Sequence, residues 1–225
     1  MKIYEREDHR LVIWHTILLH MEVGILACQN TSIRHPTLLP SSWNTKKLGT
    51  LNKLEQLYLD GLSIDKSFLH EVGVTTSLNV LKMRNCGLNG SLPAQGNVAL
   101  SQLSCLTSLE YLSLLNNDFL DPIKLSCFFN LSNLKVLLND NNKIAFEPNT
   151  HSLIPAFQLK VLNLFNGSFN GFNRTTPRFL QYQYDLRVID LSHNNLVGKF
   201  PNWLLENNTR LEVLILKDNS LNLIR

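Results

Sequence analysis

The chain is poor in charge and in cysteine chemistry. Asp, Glu, Lys and Arg make up only 17% of its 225 residues, and the net charge is +3. No Lys/Arg cluster forms a stripe, which argues against a nucleic-acid partner. The four cysteines, Cys28, Cys86, Cys105 and Cys127, contain no C-x-x-C pair and no zinc-like Cys/His spacing. The residues therefore predict no metal and no cofactor. An even cysteine count permits disulfides, but the spread shows no compact framework. There is no phosphate-cradling G-x-x-x-x-G-K-S/T and no G-x-S-x-G elbow. Asp190, Ser192 and His193 share one short stretch with no pocket for a triad. The expectation is a protein that is not an enzyme.

Long apolar runs are scarce too. No stretch reaches the roughly 18 uninterrupted apolar residues of a membrane span. The nearest, Leu11 to Cys28, is broken by His15, His20 and Glu22. Its leader balances Lys2, Arg6 and Arg10 against Glu5, Glu7 and Asp8, a poor match to a secretory signal. The expectation is a chain with a weak signal peptide and no membrane span.

Leucine is plentiful, at about one residue in five. "LEQLYLDGLSI" begins at Leu54, and matching segments begin at Leu78, Leu109, Leu134, Leu159, Leu186 and Leu211. The steps between starts are 24, 31, 25, 25, 27 and 25 residues. Seven copies of L-x-x-L-x-L-x-x-N/C-x-L in phase are the signature of a leucine-rich repeat. Alternation along a strand sends both leucines of L-x-L to one face. One coil cannot enclose that face, so coils must stack. The predicted fold is α/β: a leucine-rich-repeat solenoid, a curved right-handed superhelix with a parallel β-sheet on its concave face. The organisation expected is an N-terminal segment over residues 1–50 and a solenoid over 51–225.

The Asn position of each copy is a predicted structural ladder, because a carboxamide can satisfy the buried backbone groups of tight turns. Asn117, Asn142, Asn194 and Asn219 occupy it, and Cys86 takes it as a buried structural thiol. Leu62 and Gly167 stand there without a carboxamide, and Asn139 replaces the second strand leucine. Weaker ladders or a local register shift are expected in these coils.

"TSLNVLKMRNCGLNGSLP", "FFNLSNLKVL" and "DLSHNNLVGKFPNWLLENNTRLEVL" resemble the plant-specific class of leucine-rich repeat. In wording they are similar to the ectodomains of plant leucine-rich-repeat receptor-like proteins, over about residues 50–225. That resemblance implies a secreted, glycosylated solenoid at the plasma membrane that senses an extracellular cue and signals through partner receptor kinases. The family's N-terminal cap carries paired cysteines around a Trp, and no such pair precedes the first repeat here; Trp43 is its nearest counterpart. The chain also stops inside a coil, which points to a truncated or partial member. Two other readings stay open: a secreted inhibitor of cell-wall-degrading enzymes, and a truncated product without function.

The contact surface expected is the concave face, with a peptide or protein ligand. The spacers projecting there are Tyr58, Asp60, Lys82, Arg84, Tyr111, Ser113, Asp140, Asn163, Phe165, Asp190, Ile215 and Lys217. Aromatics beside charges suit such recognition. Six N-x-S/T sequons, at Asn30, Asn89, Asn130, Asn166, Asn173 and Asn207, are candidate N-glycosylation sites.

Overall fold

The computed structural model describes residues 32–33, 51–64, 67–88, 102–117, 119, 122–145, 154–169 and 174–222. Each repeat contributes one three-residue strand to a single parallel sheet. The strands are β2 (Gln56–Tyr58), β3 (Val80–Lys82), β4 (Tyr111–Ser113), β6 (Val136–Leu138), β8 (Val161–Asn163), β9 (Val188–Asp190) and β11 (Val213–Ile215). A short strand β1 (Ser32–Ile33) pairs with β2, so the sheet has eight strands among the described residues. Every neighbouring pair is parallel and in register by repeat position: Leu57 faces Leu81, which faces Leu112, and so on to Leu214. Consecutive strands are spatial neighbours because each repeat is one full winding.

The strands hold alternate residues on opposite faces. Leu57, Leu81, Leu112, Leu137, Leu162, Ile189 and Leu214 enter the main core with the leucines that start and end each motif. Short helical pieces close the other side of the coils: the α-helices Ser67–Gly73 and Asn202–Asn207, and the 3₁₀ turns Gln102–Cys105, Leu125–Phe128 and Arg178–Tyr182. On this side of the third, fourth and fifth coils, Phe129, Phe157 and Phe179 meet edge-on or tilted in an aromatic group with ring centroids 5.9–6.5 Å apart. Two minor parallel pairs follow the turns. They are β5 (Ile123–Lys124) with β7 (Ile144–Ala145), and β10 (Val197–Lys199) with β12 (Ser220–Asn222). β10 holds the Gly198 of "NLVGKFP" at φ +100°, a conformation that favours glycine.

The turn after each strand leaves interior N–H and C=O groups that the ladder residues take up. Asn117 donates through Nδ2 to the carbonyls of Met83 and Leu114, and its Oδ1 accepts from the Cys86 N–H at 2.8 Å. Asn194 does the same for Leu164, Leu191 and the Gly167 N–H. Asn219 bonds the carbonyls of Leu191 and Leu216 and the amides of Asn194 and Leu196. Cys86 is fully buried, and its Sγ donates to the Leu59 carbonyl. Burial, reinforced by Asp60, pushes its thiol pKa up to about 12.

The departures from the template have local solutions. Asn139 keeps the register: Leu138 still pairs with Ser113 and Asn163, so there is no shift. Its buried Oδ1 takes the place of the own-coil carbonyl and accepts from Asn142 Nδ2 at 2.9 Å. Its Nδ2 is left without an acceptor. At Gly167 the missing side chain is filled from outside. A Cβ there would sit 2.8 Å from Ile144 Cδ1 and 3.2 Å from both Asn194 Oδ1 and the Leu164 carbonyl oxygen.

Candidate recognition face

The face of the sheet opposite the main core carries three columns of side chains, one residue per coil. The first runs Gln56, Val80, Tyr111, Val136, Val161, Val188, Val213, as the register dictates. With Leu138 and Ile215 its apolar members form a second buried cluster, against which Tyr58 and Leu115 pack. Sequence reasoning passed over the valines of this column. The signal was present, because valine precedes the second motif leucine or isoleucine in five of the seven copies. β-Branched side chains suit a strand packed against neighbours above and below it.

The second column, Tyr58, Lys82, Ser113, Leu138, Asn163, Asp190 and Ile215, contains half of the expected contact residues. The structure buries Ser113, Asn163, Asp190 and Ile215, and in the first column Tyr111. These five are not freely accessible, because side chains on parallel strands about 4.8 Å apart shield one another. Asn163 and Asp190 are occupied by their own turns. Asn163 Oδ1 accepts from the Phe165 N–H at 3.0 Å, and Asp190 Oδ1 accepts from the Ser192 N–H and hydroxyl. Lys82 remains half-buried, its Nζ 5.0 Å from the Tyr58 ring centroid and 4.9 Å from that of Tyr111. The column thus opens on a cation held between two aromatic rings.

The third column is the most open. Arg84 is exposed, and Asp60, Asp140, Phe165 and Lys217 are half-buried. Asp60 Oδ1 accepts from the Arg84 N–H at 2.8 Å. The Phe165 ring meets His193 edge-on at 4.9 Å, and His193 Nε2 lies 2.9 Å from Asp218 Oδ2. Lys217 Nζ is 3.7 Å from the same carboxylate oxygen.

Beside these columns runs one that the sequence motif does not specify. The residue before each ladder position has a left-handed backbone: Gly61, Asn85, Asn116, Asn141, Asn166, His193 and Asp218 all have φ between 50° and 77°. Gly, Asn, Asp and His tolerate that conformation best. Along this column Asn141 Nδ2 donates to Asn116 Oδ1 at 2.6 Å, and Asn166 Nδ2 donates to Asn141 Oδ1 at 2.9 Å. Asn166 is therefore both a sequon asparagine and a member of an exposed carboxamide chain. Of the other sequons, Asn130 is exposed and Asn207 donates to the Gln181 carbonyl at 3.3 Å. Asn30, Asn89 and Asn173 lie outside the described residues.

A second buried ladder sits at the other end of the late strands. Gln183 Oε1 accepts from the Leu159 N–H, and Asn208 Oδ1 accepts from the Leu186 N–H. Each stands three residues before a motif leucine, a spacing that could have been read. Among the described residues no group of three or more His, Cys, Asp or Glu could hold a metal ion, and no helix is long and apolar enough to cross a membrane.

None of the models of known protein families matches the chain. It is 39% identical over 173 residues to Receptor-like protein 1 of Arabidopsis thaliana, covering 76% of this chain and 15% of that protein. It is 32% identical over 206 residues to Cuscuta receptor 1 of Solanum lycopersicum, covering 70% of this chain and 18% of that one. The chain thus spans less than a fifth of the length of these relatives. Among solved structures it is similar to the repeat ectodomain of the Arabidopsis receptor kinase HAESA in complex with an N-terminally extended IDA peptide hormone. The TM-score is 0.54 at 27% identity, over 78% of this chain and 27% of that one. A TDR receptor structure, at TM-score 0.52 and 24% identity over 77% and 32% of the two chains, shares the fold. Repeat wording, coil geometry and these relatives agree: the chain belongs with the plant leucine-rich-repeat receptor-like proteins.

Proposed function

We propose that the chain is a non-enzymatic recognition module that takes a peptide or protein ligand on the concave face of its sheet. The observation that carries this reading is the in-register stack of the three columns. An unbroken run of seven coils presents aromatic and charged groups at one strand spacing, a periodicity an extended backbone can follow. Arg84, Lys217, Asp60, Lys82 and Tyr58 are the accessible contacts; the buried valine column with Tyr111 stiffens the face beside them. The names of the relatives support a receptor role. The peptide hormone in the HAESA complex supports a peptide as the class of ligand. On the same reading the module acts outside the cell at the plasma membrane and signals through partner receptor kinases, with exposed Asn130 as a glycan site.

The test places a photo-crosslinking amino acid at Arg84 or Lys217 on the concave face, or at Arg178 or Arg210 on the outer side. Each variant of the full chain is irradiated with a peptide fraction of plant extracellular fluid. Specific peptide adducts are expected at Arg84 and Lys217. Equal labelling of the outer positions would refute the assignment of the face.

A further inference from the structure

The main ladder has one broken link. Along the stack each ladder N–H is taken by the ladder side chain of the next coil: Cys86 by Asn117, Asn117 by Asn142, Gly167 by Asn194 and Asn194 by Asn219. Residue 167 has no side chain, and the Asn142 N–H has no acceptor among the described residues. The carbonyls follow a matching rule. Each ladder Nδ2 donates to the carbonyl three residues before it and to the counterpart of that carbonyl one coil back. Asn117 serves Leu114 and Met83, Asn194 serves Leu191 and Leu164, and Asn219 serves Leu216 and Leu191. In the fourth coil this carbonyl belongs to Asn139. Asn142 Nδ2 goes to Asn139 Oδ1 instead, and the next coil has no carboxamide to offer, so the Asn139 carbonyl has no donor among the described residues. Asn139 Nδ2 is buried without an acceptor as well. Turning the Asn139 carboxamide does not help, because its Oδ1 is the acceptor for Asn142 Nδ2. Asn142 is itself fixed by the Asn117 N–H on its Oδ1 and the Leu114 carbonyl on its Nδ2.

Two donors and one acceptor are thus unpaired at a single coil junction, where Asn139 and Asn142 are each 1% exposed. Buried polar groups are almost always paired, with water where the protein supplies no partner. The room comes from the missing side chain. Ile144 Cδ1 occupies only its Cβ end, one methyl in exchange for a whole –CH2–CO–NH2 group. The coils cannot close over the remainder. The Asn139 N–H bonds the Asn163 carbonyl at 2.9 Å, the Asn141 N–H bonds that of Phe165 at 2.9 Å, and the Ile144 N–H bonds that of Gly167 at 2.8 Å. These bonds hold strand and turn at the spacing of the other coils. We propose that one buried water binds between the fourth and fifth coils in place of the ladder carboxamide. It accepts from the Asn142 N–H and Asn139 Nδ2 and donates to the Asn139 carbonyl, the number of partners that a retained internal water has. The site needs no entrance, because the water is enclosed as the coils stack and exchanges by local opening. It carries the ladder across Gly167, between the turns that hold Asp140 and Phe165 of the recognition face. The proposal does not depend on what that face binds.

The experiment uses the full chain, isotope-labelled, and reads magnetisation transfer from water to backbone amides by NMR. A direct contact with a long-lived water is expected at the Asn142 N–H. None is expected at the Asn117 N–H, whose acceptor is Asn142 Oδ1. A crystal structure of the same chain is the second measurement. It should show one ordered water within hydrogen-bond distance of the Asn142 nitrogen, the Asn139 carbonyl oxygen and Asn139 Nδ2. Gly167→Asn combined with Ile144→Val supplies the carboxamide and removes the methyl that meets its Cβ. In that variant the water contact at Asn142 should be lost while the amide spectrum of the other coils persists. The wild-type measurements decide the matter even where that variant does not fold. No water contact at Asn142, an equal contact at Asn117, a contact that survives in the folded double variant, or density for a protein side chain at the site would each overturn the proposal.

Discussion

Replacing Asn194 by Ala removes one carboxamide and strands its partners in a dry interior. The side chain is 1% exposed. Its Oδ1 is the acceptor for the Gly167 N–H at 2.7 Å, and its Nδ2 serves the carbonyls of Leu164 at 2.8 Å and Leu191 at 2.9 Å. The Leu191 carbonyl keeps the Asn219 Nδ2 donor at 2.8 Å. The Gly167 N–H and the Leu164 carbonyl lose their ladder partner. At about 1–3 kcal/mol for each unsatisfied buried group, the loss is about 2–6 kcal/mol, the low end applying if water enters the space. Asn194→Asp should be no milder, because it keeps the acceptor but turns a carboxylate oxygen toward two carbonyls. A solenoid need not unfold in one step, so the measurement is residue-resolved hydrogen exchange. Amides of β8 and β9 should exchange about thirtyfold faster or more in Asn194→Ala, as the lower bound of that loss requires. Asn133→Ala breaks only an exposed bond to the Thr107 carbonyl and should shift stability by less than about 0.5 kcal/mol. A local loss in Asn194→Ala as small as that control would refute the ladder argument.

Restoring the template at Gly167→Asn should destabilise the chain by about 1–3 kcal/mol, because the new Cβ meets Ile144 Cδ1 at 2.8 Å. Ile144→Val removes that Cδ1, so Gly167→Asn should cost less in that background than in wild type, read as the coupling of a double-mutant cycle by thermal unfolding. The Cys86 thiol, with its pKa raised to about 12, should resist a thiol reagent at pH 8 until the chain unfolds, whereas exposed Cys105 reacts at once. In the unfolded chain the thiol ionises at its ordinary pKa of 9.0, so the stability that Cys86 contributes is intact below pH 9 and declines as pH rises toward 12. A denaturation series over that range in wild type and Cys86→Ser measures the difference. Glu110→Gln removes a partly exposed ion pair with Lys135 and should cost under about 1 kcal/mol, less in high salt, by the same unfolding measurement.

The sequence by itself determined the period, the strand positions, the inward leucines and the residues of the main ladder. Each follows from a pattern written inside one repeat: L-x-L needs only alternation, and the Asn recurs at one place, where it serves its own tight turn and the preceding coil's. What only the tertiary structure decided are features of contact between coils. The burial of Ser113, Asn163 and Asp190 on a face read as open depends on what stands one strand away. So do the exposed Asn116–Asn141–Asn166 chain, the Cβ place at Gly167 claimed by Ile144, and the pairing of Lys135 with Glu110. The bonded partners among these lie 25 residues apart along the chain, a separation over which local pattern carries no information about distance. Stacking converts that separation into one strand spacing, and it is the stack that determines which side chains are shielded, which are paired and which are left over.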